Sequence, residues 1–361
     1  MSIVEYPKRA VFQTSRLAPT KILAILSATM LVTTVLSLSI GPTGISLMSL
    51  PRAIGAMLGW SDDLEAQRDR LVLLDIRLAR TLLGAFVGAA LAVAGATMQG
   101  LFRNPLADPG LIGVSAGAAL AAIATIALSN SLLSPFAFAL GAYALPFAAF
   151  FGGLGTTWLL VAVASRDGHL GVATLLLAGI AIGAIAGAAS GFIAYASDDR
   201  ELRDLTLWSM GSLSGASWIK VAAVVPFAVA IVLISPRLVN ALNGLLLGER
   251  EAFHLGIDIE ATKRWAIALS AAAVGAAVAA AGIVGFVGLV APHVVRLMAG
   301  PDNRIVLPAS ALLGAILVVS ADIAARMIFK PAELPLGLVM AVVGGPLFLH
   351  LIMRRGGGIG E

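Results

Sequence analysis

Residues 75–117, DIRLARTLLGAFVGAALAVAGATMQGLFRNPLADPGLIGVSAG, decide the fold of this chain. The apolar run from 78 to about 98 is long enough to cross a bilayer as one helix, which takes about 20 residues. Arg77 and Arg80 stand at its first turn, and a polar corner at 99–110 closes its other end. A second apolar, glycine-rich run follows at once. The stretch therefore predicts a membrane hairpin with a cationic end and a tight Asn-Pro corner.

The composition of the whole chain supports a membrane class. Hydrophobic residues make up 59% of the 361 residues and charged residues 12%, against about 25% charged residues in soluble domains. Mean hydropathy is +0.97. Long apolar runs favour helices over a barrel, because barrel strands alternate in polarity. Cysteine is absent, which excludes disulfides and thiolate metal sites. The net charge of +4 is spread over loops, where it anchors helix ends and indicates no nucleic-acid site.

The apolar runs predict one transmembrane domain over 1–361 with about ten spans. An even number of spans places both termini on the same side, and a modest excess of Lys and Arg assigns that side to the cytoplasm. The predicted spans are 22–40, 78–99, 111–129, 140–164, 171–195, 218–235, 264–282, 284–299, 306–326 and 335–353.

Three loops are longer than turns. The outer segments 41–76 and 196–217 carry charged stretches, and the second predicts a short helix followed by a Gly-Ser turn. The inner segment 237–263 predicts two short amphipathic helices separated by Gly248 and ended by Gly256. Such a pair indicates a docking surface for another subunit. The alternative is a helix pair lying on the bilayer, which four acidic residues disfavour because anionic headgroups repel them.

The fifth predicted span carries a ladder of glycines four residues apart. Small residues at this spacing allow another helix to approach closely. Two interpretations stay open: plain structural packing, and a smooth wall that also permits sliding. The glycines are Gly179, Gly183, Gly187 and Gly191.

Several chemistries lack their motifs. The chain has no G-x-x-x-x-G-K-[ST] phosphate loop and no H-E-x-x-H metal motif. Its four histidines do not follow a metal-ligand spacing, so we expect no metal site. Ionisable residues inside the spans are rare, which argues against a proton relay. Asp322 is the main exception, and it lies four residues before Arg326, where a helical ion pair can form.

The chain resembles the FecCD-type permeases, the membrane subunits of ABC importers for iron–siderophores, haem and vitamin B12. The resemblance covers nearly the whole chain from about residue 70. Its motifs are RTLLGAFVGAALAVAGATMQGLFRNPLADPGLIGVSAG at 80–117, LLLAGIAIGA at 175–184, LNGLLLGEREAFHLG at 242–256, GIVGFVGLVAPHVVRLMAGPDNR at 282–304, LPASALLGAILVVSADIAAR at 307–326 and AELPLGLVMAVVGGPLFLHLI at 332–352.

This resemblance implies a type II ABC importer permease in the bacterial inner membrane. It implies a homodimer with a central pathway, a periplasmic substrate-binding protein and two cytoplasmic ATPase subunits that hold ATP and Mg²⁺. The chain itself is then expected to be no enzyme and to bind no cofactor. The outer segment SDDRELRDLTLWSMGSLSGASW, 197–218, is most similar to haem-importing members. We therefore expect haem as the transported substrate, with ferric siderophore as the alternative and cobalamin as a weaker one.

The resemblance also assigns roles to arginines on the predicted outer side. Arg77, Arg80 and Arg326 match positions that receive acidic residues of the binding protein, so charge reversal there is expected to slow docking and leave the fold intact. The alternative from the residues alone is snorkelling of the arginines, with Asp75 and Asp322 as local partners.

Two further sets of residues follow from the same resemblance. An inner constriction is expected at Asn104, Leu106, Val172 and Ala173. Family members often carry Ser or Thr just before LLLAG. Here Val172 and Ala173 occupy those places, followed by Thr174, and a gate at that level would be apolar and close by dewetting. The expected ATPase-coupling surface comprises Leu242, Leu246, Gly248, Glu249, Ala252, Leu255 and Gly256.

Overall fold

The computed structural model describes residues 18–41, 44–61, 63–129, 131–166, 169–329 and 332–356, which are almost entirely helical. One two-stranded antiparallel hairpin joins β1 (Ser165–Arg166) to β2 (His169–Leu170). The helices are α1 Pro19–Ser39, α2 Leu50–Met57, α3 Leu64–Arg70, α4 Ala79–Leu101, α5 Val114–Leu128, α6 Ser134–Leu140, α7 Ala144–Ala164, α8 Val172–Ala196, α9 Asp199–Ser209, α10 Trp218–Leu245, α11 Glu249–His254, α12 Ile259–Ala281, α13 Val287–Ala299, α14 Asn303–Met327 and α15 Leu336–Gly356.

The predicted all-α polytopic membrane fold is confirmed. Within the described residues, seven helical stretches are long and apolar enough to cross a membrane, and three shorter apolar helices join them. Each of the ten predicted spans coincides with one of these. The shorter ones are Val114–Leu128, Val287–Ala299 and Leu336–Leu349.

Helix α4 forms the centre of the bundle. Nearly all of its side chains are buried, against α10, α12, α13 and α14. The helices approach closely because small residues face one another. A Cβ on Gly88 would meet the backbone of Gly314, and a Cβ on Gly95 would meet the backbone of Gly288. Without a Cβ these backbones come into direct contact, which is how helices associate in lipid, where hydrophobic burial gives no driving force.

Two predicted boundaries are wrong. The second span continues backward through a π-helical turn at Leu71–Leu78 into α3. The sixth was expected to end at 235, before Pro236, with a separate amphipathic helix after it. Instead α10 continues through Pro236 to Leu245. The lost hydrogen bond is offset because Leu238, Leu242 and Leu245 are buried in the core.

The bundle has two ends that α4 and α14 connect. Helix α4 carries Arg80 in its first turn and Gly100 in its last. Gly100 lies against Leu242 of α10. Helix α14 runs the opposite way, from Asn303 to the turn that carries Arg326. At 1.5 Å per residue these helices separate the ends by about 35 Å. We call them the arginine end, with Arg77, Arg80 and Arg326, and the coupling-loop end, with residues 243–263.

Candidate functional site

The arginine end is built around an ion cluster that joins distant parts of the chain. The guanidinium of Arg80 donates to Asp322 at 2.8 Å and to Glu333 at 3.0 Å. Asp322 also pairs with Arg326 at 3.1 Å, so one carboxylate is shared by two cations. The exposed fractions are 7% for Arg80, 2% for Asp322 and 5% for Arg326. Buried charges of this kind persist only when they are paired and hydrogen-bonded.

Arg77 and Arg326 also tie α1 and the segment after it to the cluster. Arg326 donates to the Ser37 hydroxyl at 3.1 Å. Arg77 donates to the backbone carbonyls of Leu38 at 2.6 Å and Ile45 at 2.9 Å. Arg77 is only 3% exposed. These bonds satisfy backbone carbonyls where α1 ends, so the arginines hold the first helix against the bundle.

The expectation that the three arginines line an exposed rim is wrong in this arrangement. All three are buried, and Asp322 serves as the local partner of two of them. Asp75, the other expected partner, lies instead 3.9 Å from Arg70. Glu333 is the most exposed member of the cluster, with 32% of its side chain accessible. Docking of a binding protein on these arginines stays a prediction, and it requires Glu333 to move.

The coupling-loop end carries the predicted second short helix as α11. Gly248 and Gly256 flank it with φ of +130° and +78°, a region that favours glycine over other residues. Glycine is thus the physical reason that the chain turns sharply before and after α11. The predicted first short helix is wrong as a separate element, since those residues form the last turns of α10.

Exposure divides the predicted coupling residues into two groups. Leu246 is 39% exposed and Leu255 is 65% exposed, whereas Leu242 and Ala252 are fully buried. Leu242 packs against Gly100 of α4, so it and Ala252 support the loop from inside and offer no surface to a partner. Sequence reasoning missed two large apolar side chains here, Leu247 and Phe253, which are 67% and 70% exposed.

Lys263 connects α11 to the start of α8. Its Nζ donates to Glu249 at 3.2 Å, to Glu260 at 3.3 Å and to the carbonyl of Leu170 at 3.1 Å. Glu260 in turn accepts from the Leu170 N–H at 2.9 Å. Lys263 itself is 4% exposed. A buried cation therefore fixes the coupling helix to strand β2, two residues before Val172. The spacing of three residues between Glu260 and Lys263 in the sequence indicates that these two side chains can pair on one helix face. The contacts of Lys263 with Glu249 and Leu170 have no such signal.

A surface groove of about 710 Å³ lies beside this contact. Its lining combines charged side chains with apolar ones. The groove and the exposed Leu246 and Leu255 lie at the same end of the bundle, and their role in coupling stays a prediction. The lining residues are His169, Glu249, Arg250, Phe253, Gly256, Ile257, Asp258, Ile259 and Glu260.

A second polar network holds the end of α10 to α14. The Asn243 amide donates to Asp302 at 2.8 Å, and its oxygen accepts from the Asn303 N–H at 2.9 Å. Arg296 donates to Asn303 at 3.1 Å. The N–H of Arg304 and the amide of Asn243 lower the pKa of Asp302 below its usual value. The coupling loop is therefore anchored to the bundle core on this side as well.

The expected gate residues all lie at the coupling-loop end. Asn104 shapes the Asn-Pro corner, since its side chain accepts from the Leu106 N–H at 2.9 Å. Asn104 and Leu106 are exposed, Val172 is half-buried and Ala173 is exposed. Within one copy they face open space, as a constriction between two copies requires. Their role as a gate stays a prediction.

The glycine ladder serves close packing at only one of its four positions. A Cβ on Gly179 would meet the carbonyl of Leu111, whereas Gly183, Gly187 and Gly191 have no neighbour within 4 Å of that point. Four residues advance a helix by about 400°, so three steps rotate the ridge by about 120° and turn it away from the bundle. Within one copy, these three glycines therefore make no close helix contact.

Within the described ranges, no three His, Asp or Glu side chains converge where they could hold a metal ion.

The model of the FecCD transport family matches residues 29–354. The chain belongs to this family. It is 47% identical over 282 residues to the hemin transport system permease protein HmuU of Yersinia pestis, covering 78% of this chain and 83% of that protein. It is 46% identical over 283 residues to the vitamin B12 import system permease protein BtuC of Vibrio cholerae, covering 78% and 82%.

A solved structure has the same fold. It is described as an inward-facing metal-chelate type ABC transporter, and it superposes with a TM-score of 0.80 at 30% identity, covering 93% of this chain and 99% of that one. The chain is therefore a multi-span permease of an ABC importer family, which confirms the family that its motifs resemble. The predicted type II importer fold is confirmed as well. The relatives transport different substrates.

Proposed function

We propose that this chain is the membrane-spanning subunit of an ABC importer that moves haem across the bacterial inner membrane into the cytoplasm. Two copies enclose the pathway, with α8 and the gate residues facing the shared axis. Two ATPase subunits, which hold ATP and Mg²⁺, dock on the coupling-loop end, and a periplasmic binding protein delivers haem at the arginine end. Both termini lie in the cytoplasm.

One observation carries the transport role: α11 and the turns on either side of it, beyond the spans, present exposed apolar side chains. Leu247, Phe253 and Leu255 are each exposed by 65% or more, while α11 is fixed from beneath by Lys263. Exposed apolar patches with a polar rim are typical of protein interfaces. A membrane-surface role is disfavoured because the groove beside the patch carries Glu249 and Glu260, which anionic lipid repels.

The proposal of haem rests on similarity. HmuU, whose name describes hemin transport, is 47% identical to this chain, but a BtuC is 46% identical. Cobalamin therefore has nearly equal support from identity, and a ferric siderophore is the third candidate.

At the arginine end, we infer that a carboxylate of the binding protein replaces Glu333 on Arg80. Glu333 accepts two hydrogen bonds at 3.0 Å from the Arg80 guanidinium. It lies on a segment that is partly exposed. Asp322 stays buried beneath as the permanent partner. The exchange conserves the number of ion pairs, so it costs little and can be reversed.

Reconstitution tests this function. Vesicles containing the permease and its ATPase, with the binding protein outside, are supplied with haem, a ferric siderophore or cobalamin. ATP-dependent haem accumulation, absent without the ATPase, is the expected result. Cobalamin uptake with no haem uptake would assign the protein to the other substrate class, and uptake without ATPase would refute the importer role.

A further inference from the structure

A cavity of about 260 Å³ lies between α10 and α14, with Val93 of α4 contributing to its wall. Its lining residues repeat at helical spacing on each helix, so the cavity is a groove along two spans. On α10 they are Val232, Ser235, Pro236, Val239 and Asn240, and on α14 they are Asn303, Arg304, Leu307 and Pro308. The groove lies at the coupling-loop end, next to the Asn243–Asp302 contact.

The buried lining of the groove is apolar except for Asn303, whose side chain is hydrogen-bonded, and for Ser235. Ser235 is 1% exposed, and its Oγ has no hydrogen-bond partner among the described residues. A buried hydroxyl without a partner costs about 1–3 kcal/mol. A ligand that brings an acceptor into the groove would recover that cost.

The mouth of the groove is cationic and polar. Arg304 and Asn240 are exposed there, and Asp302 is the acidic residue beside Arg304. The Asp302 carboxylate accepts from the Asn243 amide and the Arg304 N–H, and the Arg304 side chain lines the groove beside it. Pro236 and Pro308 lack an N–H, so each of the two helices lacks one backbone hydrogen bond at this level.

We propose that this groove binds one anionic phospholipid. An acyl chain lies along Val232, Pro236 and Pro308, the Ser235 hydroxyl donates to an ester carbonyl, and the phosphate sits on the Arg304 guanidinium. Three features favour a lipid: the groove runs along membrane-spanning helices, its wall is apolar, and its cationic mouth lies at a helix end. Basic pockets between helices at the cytoplasmic side are typical sites for anionic headgroups.

Native mass spectrometry of the purified full-length permease tests the proposal. Phosphatidylglycerol or phosphatidylcholine is added at equal concentration to wild type, Arg304→Gln and Arg237→Gln. Arg237 is the matched control, because it is exposed and lies next to Pro236 on a different face of α10. We expect wild type and Arg237→Gln to retain one phosphatidylglycerol, and Arg304→Gln to retain about tenfold less. Equal retention of phosphatidylcholine, or equal loss in Arg237→Gln, would overturn the proposal.

Two further arms identify other occupants. Inorganic phosphate at millimolar concentration is expected to leave the lipid bound; displacement by phosphate alone would make this an ion site and refute a lipid site. Arg304→Cys, in a chain without native cysteine, is expected to give no crosslink between copies. A disulfide-linked dimer would show that a second copy covers the groove.

Ser235→Ala is expected to weaken phosphatidylglycerol binding with no loss of thermal stability, and unchanged binding would remove the role of the hydroxyl.

Discussion

The two ends of the bundle place charge and apolar surface in opposite ways. At the arginine end, three cations are buried, and Arg80 pairs with a residue far along the chain, Asp322 being 242 residues from it. At the coupling-loop end, polar groups satisfy one another beneath the surface while Leu247 and Phe253 are exposed. The contrast shows that a charged side chain near the end of a membrane span can be buried and need not lie on the surface. The buried ion cluster holds distant segments together at the first end, whereas the second end exposes large apolar side chains.

The strongest test of the ion cluster is Arg80→Glu. Three carboxylates would then meet in a buried site, and breaking a buried pair costs about 3–5 kcal/mol. We expect loss of folded protein in detergent, measured by thermal unfolding and size exclusion. This outcome differs from the one that the family resemblance implies, in which charge reversal leaves the fold intact. Arg68→Glu, an exposed arginine near the same end, is the control and should fold normally. An unchanged melting temperature for Arg80→Glu would break the comparison.

A second test compares two leucines of the coupling-loop end. Leu242→Ala creates a cavity against α4 and should cost about 2–5 kcal/mol of stability. Leu247→Ala removes an exposed side chain and should change stability by at most about 0.5 kcal/mol. Thermal unfolding of the free permease separates them. Equal effects would mean that the division into inner support and outer surface is wrong.

Lys263→Met sharpens the account of how that surface acts. Glu249 and Glu260 lose their shared cation, and charge-assisted hydrogen bonds of this kind are worth about 1.5–3 kcal/mol. We expect the assembled importer to keep hydrolysing ATP while substrate uptake per ATP falls about tenfold or more. Lys263→Arg should restore most of the coupling, and Lys21→Met, an exposed lysine on α1, should behave as wild type. Uptake and hydrolysis falling in parallel would indicate a folding defect instead.

The smallest expected effect concerns Glu333→Gln. If Glu333 competes with a carboxylate of the binding protein, its removal should raise the association rate about two- to threefold, most clearly at low salt where charge is least screened. Stopped-flow binding against ionic strength measures this, with Glu65→Gln as an exposed control. A slower association in Glu333→Gln would mean that the binding protein contacts Glu333 itself and not the arginines.

Much of the fold was readable from the sequence because span length and apolar runs follow directly from bilayer thickness. All ten spans were placed, and the short helix between Gly248 and Gly256 followed from glycine punctuation. The boundary at Pro236 was missed because packing of α10 outweighs one lost hydrogen bond. Apolar runs and glycine positions are local signals, and they do not reveal which distant helix a residue contacts.

The candidate site was less predictable for the same reason. Burial of Arg80 depends on Asp322 and Glu333, which only the packed bundle brings to it. The glycine ladder predicted close approach, but the neighbours of α8 meet only Gly179. Lys263 and Phe253 gave weak signals, since a lysine near acidic residues and an aromatic in a loop occur on many surfaces.

The most direct test of the central claim is the accessibility of Phe253→Cys, the only thiol in an otherwise cysteine-free chain. Its rate of reaction with a water-soluble maleimide is measured on the free permease and after addition of the ATPase subunits, with Leu132→Cys, an exposed residue between α5 and α6, as the reference thiol. The account predicts rapid labelling of Phe253→Cys in the free permease, strong protection with the ATPase bound, and no change for Leu132→Cys. Equal labelling of Phe253→Cys with and without bound ATPase would contradict the claim that this end is the coupling surface.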